Sequence, residues 1–207
     1  MTTTKYAAVI IVINCFLFYA CGGNGKENQE INLLDGAKAI EAIDESSKRI
    51  AERRERGDTV AMPFKELEIF LPEIPNYSKE GGPSGNQMSV PGMGSWSQTE
   101  QVYTSGDIRI DISVADYNGS ANAFTGATAL YSMGYSQEDE YKKSGSFDLG
   151  IKGVVSYETI YKQEKRAELT LIVVDRFIIQ LNADGTNNID ILKKAATSMN
   201  LEKLTKY

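Results

Sequence analysis

The apolar positions of this chain recur with different periods, and each period predicts an element. Ala7 to Ala20 is one continuous apolar run, broken only by Asn14. From Ile31 to Arg56 the apolar residues Leu33, Leu34, Ala37, Ile40, Ile43 and Ile50 recur mostly at three- and four-residue steps, which predicts an amphipathic helix. Its second half interleaves Glu with Lys and Arg, and Gly57 is a natural stop. Phe64, Leu67, Phe70 and Leu71 predict a short helix opened by Pro63 and ended by Pro72 and Pro75. Periodicity then lapses. Glycine, serine and proline dominate residues 81–98, and the reading is a long loop over one end of a sheet, acting as a lid or binding loop or simply mobile. Met88, Met93 and Trp96 give that stretch soft apolar contacts and are its candidate ligand residues.

Strand signals follow. Residues 97–104 and 107–114 predict a hairpin through Ser105-Gly106, the second strand alternating Ile108, Ile110, Ile112 and Val114 against Arg109, Asp111 and Ser113. Tyr117 to Ser120 reads as a turn and Ala121 to Met133 as a helix. Residues 138–143 predict a polar edge strand, and 152–162 a strand with Val155, Tyr157, Thr159 and Tyr161 on one face. Residues 166–174 and 177–182 predict a second hairpin through Asp175-Arg176. The chain closes with a helix over 189–199, presenting Ile191, Leu192, Ala195 and Ala196, and with Leu201 and Leu204 in the tail.

Hairpin-length connections imply an antiparallel sheet, and helices set apart from it imply the α+β class. The expected architecture is a sheet of about five or six strands packed with helices and preceded by an N-terminal amphipathic helix. The expected organisation is an export signal over 1–20, a flexible tether over 21–30, the helix over 31–57 and a globular domain over 62–207.

Composition narrows function. The 22 basic residues are outnumbered by 28 acidic ones, so the chain lacks the basic surface that neutralises phosphates, and no nucleic-acid partner is expected. Histidine is absent, which removes Ser–His–Asp and Cys–His nucleophiles and imidazole metal sites. Cys15 leaves with the signal in this reading, so Cys21 is the one cysteine of the mature chain. No cofactor and no metal are expected. Met88 and Met93 are thin grounds for Cu(I), and the oxygen-rich run Asn182 to Asp190 lacks the ligand spacing of a twelve-residue calcium loop and reads as a turn and a cap.

The first 21 residues carry a resemblance. Lys5 precedes an apolar core of signal-peptide length, too short for the roughly 20 residues of a membrane span. Leu17-Phe18-Tyr19-Ala20-Cys21 resembles the lipobox of bacterial lipoproteins, in a loose form similar to that of the Bacteroidota. The resemblance implies a diacylglycerol on Cys21, an acylated amine after cleavage and a stable bilayer anchor. The other reading is a plain secretory signal with an incidental cysteine. Gly22 after the cysteine is not the aspartate of an inner-membrane retention signal, so the analogy implies the outer membrane of the cell envelope. Asp58-Thr59-Val60 resembles the O-glycosylation acceptor of exported Bacteroidota proteins and makes Thr59 a candidate; its other reading is a turn.

The element order over 63–207, ending in Asp175-Arg176-Phe177, an apolar strand, a loop, a helix and Leu204, resembles the PsbP-like fold. That resemblance implies a binding or assembly role. The functional expectation is a non-catalytic, lipid-anchored envelope module for a protein partner or small ligand. The alternative is an envelope hydrolase using carboxylates, for which Asp111 and Glu168 are the candidate pair, with Arg109 and Lys165 nearby. A stalk oligomer built by residues 31–56 is a third reading.

Overall fold

Alternation is cleanest in Ile108–Asp116, and there the structure buries Ile110, Ile112 and Val114 completely on one face of a sheet. The computed structural model describes residues 33–90, 94–118, 131 and 134–207. The signal, the tether, Cys21, Met93 and all of the predicted 121–133 helix except Tyr131 lie outside the described residues.

The strands in chain order are β1 (Ser78–Lys79), β2 (Ser84–Val90), β3 (Gly94–Ser105), β4 (Ile108–Asp116), β5 (Ser136–Glu138), β6 (Lys142–Phe147), β7 (Val154–Tyr161), β8 (Arg166–Val173) and β9 (Phe177–Asp184). They form one antiparallel sheet. Strands β1 and β2 both pair with β3, and the order then runs β4, β9, β8, β7, β6, β5. The class is α+β, as the pattern predicts, but nine strands exceed the five or six expected. The extra strands are polar. Residues 138–143, read as a single strand, contain the turn between β5 and β6. The stretch 81–98, read as a loop, instead holds β2 and the start of β3, which pair with Ser84 opposite Glu100 and Val90 opposite Gly94. Backbone pairing holds these segments without apolar alternation to announce them.

Ser105 pairs with Ile108, leaving Gly106-Asp107 as a two-residue turn in which Gly106 takes φ +58°. A positive φ at the first central residue suits glycine and matches the twist of the flanking strands.

The core lies on one sheet face. Ile110, Ile112 and Val114 of β4, Ile179 and Leu181 of β9, and Leu169 and Leu171 of β8 are all completely buried. Each such side chain contributes roughly 1.5–3 kcal/mol on leaving water. They are covered by α2 (Phe64–Leu67) with the 3-10 turn Glu68–Phe70, and by α3 (Ile189–Ser198) with α4 (Leu201–Leu204). Leu67, Phe70, Leu192, Ala195, Ala196, Leu201 and Leu204 face inward, while Ile191 is half-buried. Asn188 caps α3, its Oδ1 accepting the Asp190 N–H at 3.1 Å.

The N-terminal helix α1 (Leu33–Glu55) ends before Gly57, whose φ is +75°. Its packed face differs from the predicted stripe. Ile50 is buried together with the polar Ser46 and Arg53, whereas Ile40 is 70% exposed and Ile43 42%. Polar bonds to the sheet set the seating of α1. No helix among the described residues is long and apolar enough to cross a membrane.

Candidate functional site

The connection between β8 and β9 is three residues, Val174, Asp175 and Arg176, and two of them take left-handed backbone. Val174 has φ +45° and Asp175 φ +54°. A β-branched residue in the left-handed region carries strain of about 1–2 kcal/mol, which the surroundings must sustain. They do so with arginines. Arg53 of α1 donates from Nη1 to the Val174 carbonyl at 3.0 Å and from Nη2 to the Asp175 carbonyl at 3.2 Å. Arg49, one turn earlier, donates from Nε to Asp175 Oδ2 at 2.7 Å. Burial, and then the charge of Arg176, lower the Arg53 pKa from its ordinary value.

Arg176 points the other way. Its Nη2 donates to Asp116 Oδ2 at 2.8 Å and its Nη1 to Asp58 Oδ2 at 2.8 Å. Asp58 Oδ1 accepts from Asn118 Nδ2 at 2.7 Å, and Asp116 Oδ2 also accepts the Met62 N–H at 2.8 Å. The Arg176 guanidinium lies over the Phe177 ring at 4.9 Å and the Tyr207 ring at 5.6 Å. Two buried arginines thus tie α1, the 58–62 segment and β4 to one hairpin tip.

Beside this tip is a cavity of about 450 Å³. Val154, Val155, Ile172 and Val174 give it apolar walls, while Glu45, Arg49, Lys152 and Asp175 supply charge. Asp175 is 2% exposed, and its Oδ1 has no hydrogen-bond partner among the described residues. A buried carboxylate oxygen without a donor costs free energy, and the other oxygen of Asp175 is held by Arg49. Ser46 Oγ, also buried, has no hydrogen-bond partner among the described residues and therefore no base to activate it as a nucleophile. Of these residues the sequence reading named the Asp175-Arg176 turn with Phe177, Asp58 as part of a possible glycosylation triplet, and Val155 as a strand residue, but did not bring them together. The arginines of α1 read as part of a solvated helix, because Glu alternates with them.

The carboxylate pair is brought onto one sheet face. Asp111 and Glu168 both lie opposite Asn182 of β9, one from each side. Asp111 is bonded by Arg109 Nη2 at 2.7 Å and Glu168 by Arg166 Nη2 at 2.5 Å. Each acid pairs with the arginine two residues before it, an arrangement that serves the open sheet face as a charge ladder. Lys165 is exposed in the β7–β8 turn. A shallow concavity of about 350 Å³ runs beside Asp111, lined by Gln98, Ser113, Gln180 and Asn182.

The other candidates are not among the residues lining the cavity beside the tip. Met88 is half exposed on β2 and opposite Trp96 on β3, whose indole stacks on the Tyr117 ring at 6.3 Å. Thr59 is exposed in the turn after α1, next to an Asp58 already engaged by Arg176 and Asn118. Among the described residues no three Asp, Glu, His or Cys side chains gather in a metal-binding group. In the 182–190 loop, Thr186 Oγ1 accepts the Asn188 N–H and Asn188 caps α3.

No family model matches the chain, and no curated protein does. Among solved structures, LpqN, described as involved in cell envelope biogenesis of Mycobacterium tuberculosis, aligns over 60% of this chain and 87% of its own, with 15% identity and a TM-score of 0.18. A likeness at that level carries no argument about fold or function.

Proposed function

We propose that this chain is a non-catalytic binding module of a bacterial cell envelope, held at the outer membrane by lipid on Cys21 and taking a small ligand or partner group in the cavity beside the β8–β9 tip. The observation that supports the binding reading is the cavity itself, with apolar walls and the charged residues Glu45, Arg49, Lys152 and Asp175 around them. The ligand it suits has an apolar body to meet Val154, Val155 and Ile172 and a polar group to meet Glu45, Arg49 and Lys152. The anchor reading is supported by the lipobox-like run ending at Cys21.

Two measurements test this. Full chain extracted from its membranes in mild detergent is denatured, and the small molecules released are identified by mass spectrometry. Asp175→Asn and the cavity-filling Val155→Phe each reduce the co-purifying molecule at least tenfold; equal recovery from wild type and both variants, or none from wild type, overturns the binding reading. Intact mass and fractionation test the anchor separately. Cys21→Ser moves the chain to the aqueous fraction and removes the mass of the acyl groups, and a wild-type chain of unmodified mass overturns it.

A further inference from the structure

We propose that the outer edge of β2 pairs with the same edge of a second copy of this chain, antiparallel and centred on Gln87, so that two sheets become one. Strand β2 bonds to β3 on one side, and no described strand pairs with its other side. Residues Ser84 to Ser89 are all exposed and Val90 is half-buried. An open strand edge presents a row of backbone donors and acceptors that another strand can take, and proteins ordinarily blunt such edges with charge, proline or shortness.

The opposite edge of this sheet is blunted. Strand β5 has three residues, ends in Glu138 and is followed by Asp139, Glu140, Lys142 and Lys143. Strand β2 has seven residues, no proline and no charge, and no charged residue occurs anywhere from Gly81 to Thr99. In a chain that is 24% charged, this is the longest edge segment and the one left neutral.

Neutrality favours a second copy over a foreign strand. A two-fold contact sets the strand against its own copy, so a strand with net charge would repel itself, and β2 carries none. Centred on Gln87, the pairing sets Asn86 opposite Met88, Gly85 opposite Ser89 and Ser84 opposite Val90. Gly85 and Ser89 set small residues against each other. The two Gln87 amides meet at the axis, where each can donate to and accept from the other.

Disulfide trapping tests this on full chain in its membranes. Directly opposed antiparallel residues lie about 4.5–5.5 Å apart at Cα, within disulfide range. Gln87→Cys therefore yields a dimer on oxidation, at least tenfold more than Ser84→Cys, whose symmetry mate is six residues away along the strand, roughly 20 Å. In a second measurement, Gln87→Lys and Gln87→Glu each abolish native-mass dimer when alone, and co-expression of the two restores it. Equal trapping at positions 84 and 87, no trapping at 87, trapping of a different polypeptide, or dimer unaffected by both charged variants overturns the proposal.

Discussion

Arg176 and Asp116 meet in the interior at the end of the sheet, 60 residues apart in sequence, with Nε 3.1 Å from both carboxylate oxygens and side chains 4% and 0% exposed. The pair is satisfied further by Asp58, by the Met62 and Asn118 N–H groups and by the Phe177 ring. Removing one partner of such a pair leaves the other buried and uncompensated. Asp116→Ala destabilises the chain by about 3–5 kcal/mol in urea unfolding. In a double-mutant cycle with Arg176→Ala, the two changes couple by roughly 1–3 kcal/mol. Additive losses would show that the contact does not hold in solution.

Tyr103 gives the fold an alkaline limit. Its ring is wholly buried, its hydroxyl donates to the Pro72 carbonyl at 2.6 Å, and burial, with Glu73 adding to it, pushes its pKa up to about 12. An unfolded tyrosine ionises near 10. The folded chain therefore holds the proton to higher pH, so the contribution of the neutral phenol is complete below about pH 10 and is lost as pH rises through about 12. The loss is on the order of 2 kcal/mol. Unfolding measured across that window in wild type and Tyr103→Phe should show a shallower slope in the variant. Identical slopes would assign the alkaline limit elsewhere.

Gly185 and Gly57 both take positive φ, +86° and +75°, but their surroundings differ. A Cβ on Gly185 would run into the Asp107 carbonyl oxygen, whereas one on Gly57 meets nothing within 4 Å. Gly57→Ala costs about 1 kcal/mol, the price of the left-handed conformation alone. Gly185→Ala costs at least about 2 kcal/mol, because backbone must also move. Thermal melts of the two variants rank them, and the reverse order refutes the packing at the β9 end.

Arg53 acts as a fork, holding two carbonyls at once. Lysine keeps the charge but not the geometry. Arg53→Lys destabilises by about 1–3 kcal/mol and speeds amide hydrogen exchange at Asp175 and Arg176 more than elsewhere. Uniform exchange changes would mean that Arg53 supports the whole domain and not the tip.

The parts of the fold that were legible were those written in apolar alternation. Strand β4 follows the Ile108–Val114 pattern, and α3 buries Leu192, Ala195 and Ala196 as its spacing predicts. Strand β2 was illegible because Ser84, Gly85, Asn86 and Gln87 are small or polar and stay exposed, so no apolar alternation marks the strand. The tip cluster was hidden for another reason. Arg49 and Arg53 lie at the i,i+4 spacing typical of a solvated face, and no local signal distinguishes an arginine that bonds water from one that reaches a carbonyl more than 100 residues away. The adjacency of Asp175 and Arg176 was visible; their opposite directions, one toward α1 and one toward β4, are a property of two left-handed residues that chain statistics reserve for glycine and asparagine.

The seating of α1 also says where this molecule can be cut. A polypeptide trimmed to begin at Met62 would retain every strand, yet it would lack Arg49, Arg53 and Asp58. It would be left with a strained tip without its clamps, the Asp175 carboxylate without a counter-ion and Arg176 short of one acid. The leader helix works as the keystone of an arch, and what looks like a spacer in one dimension is structural masonry in three.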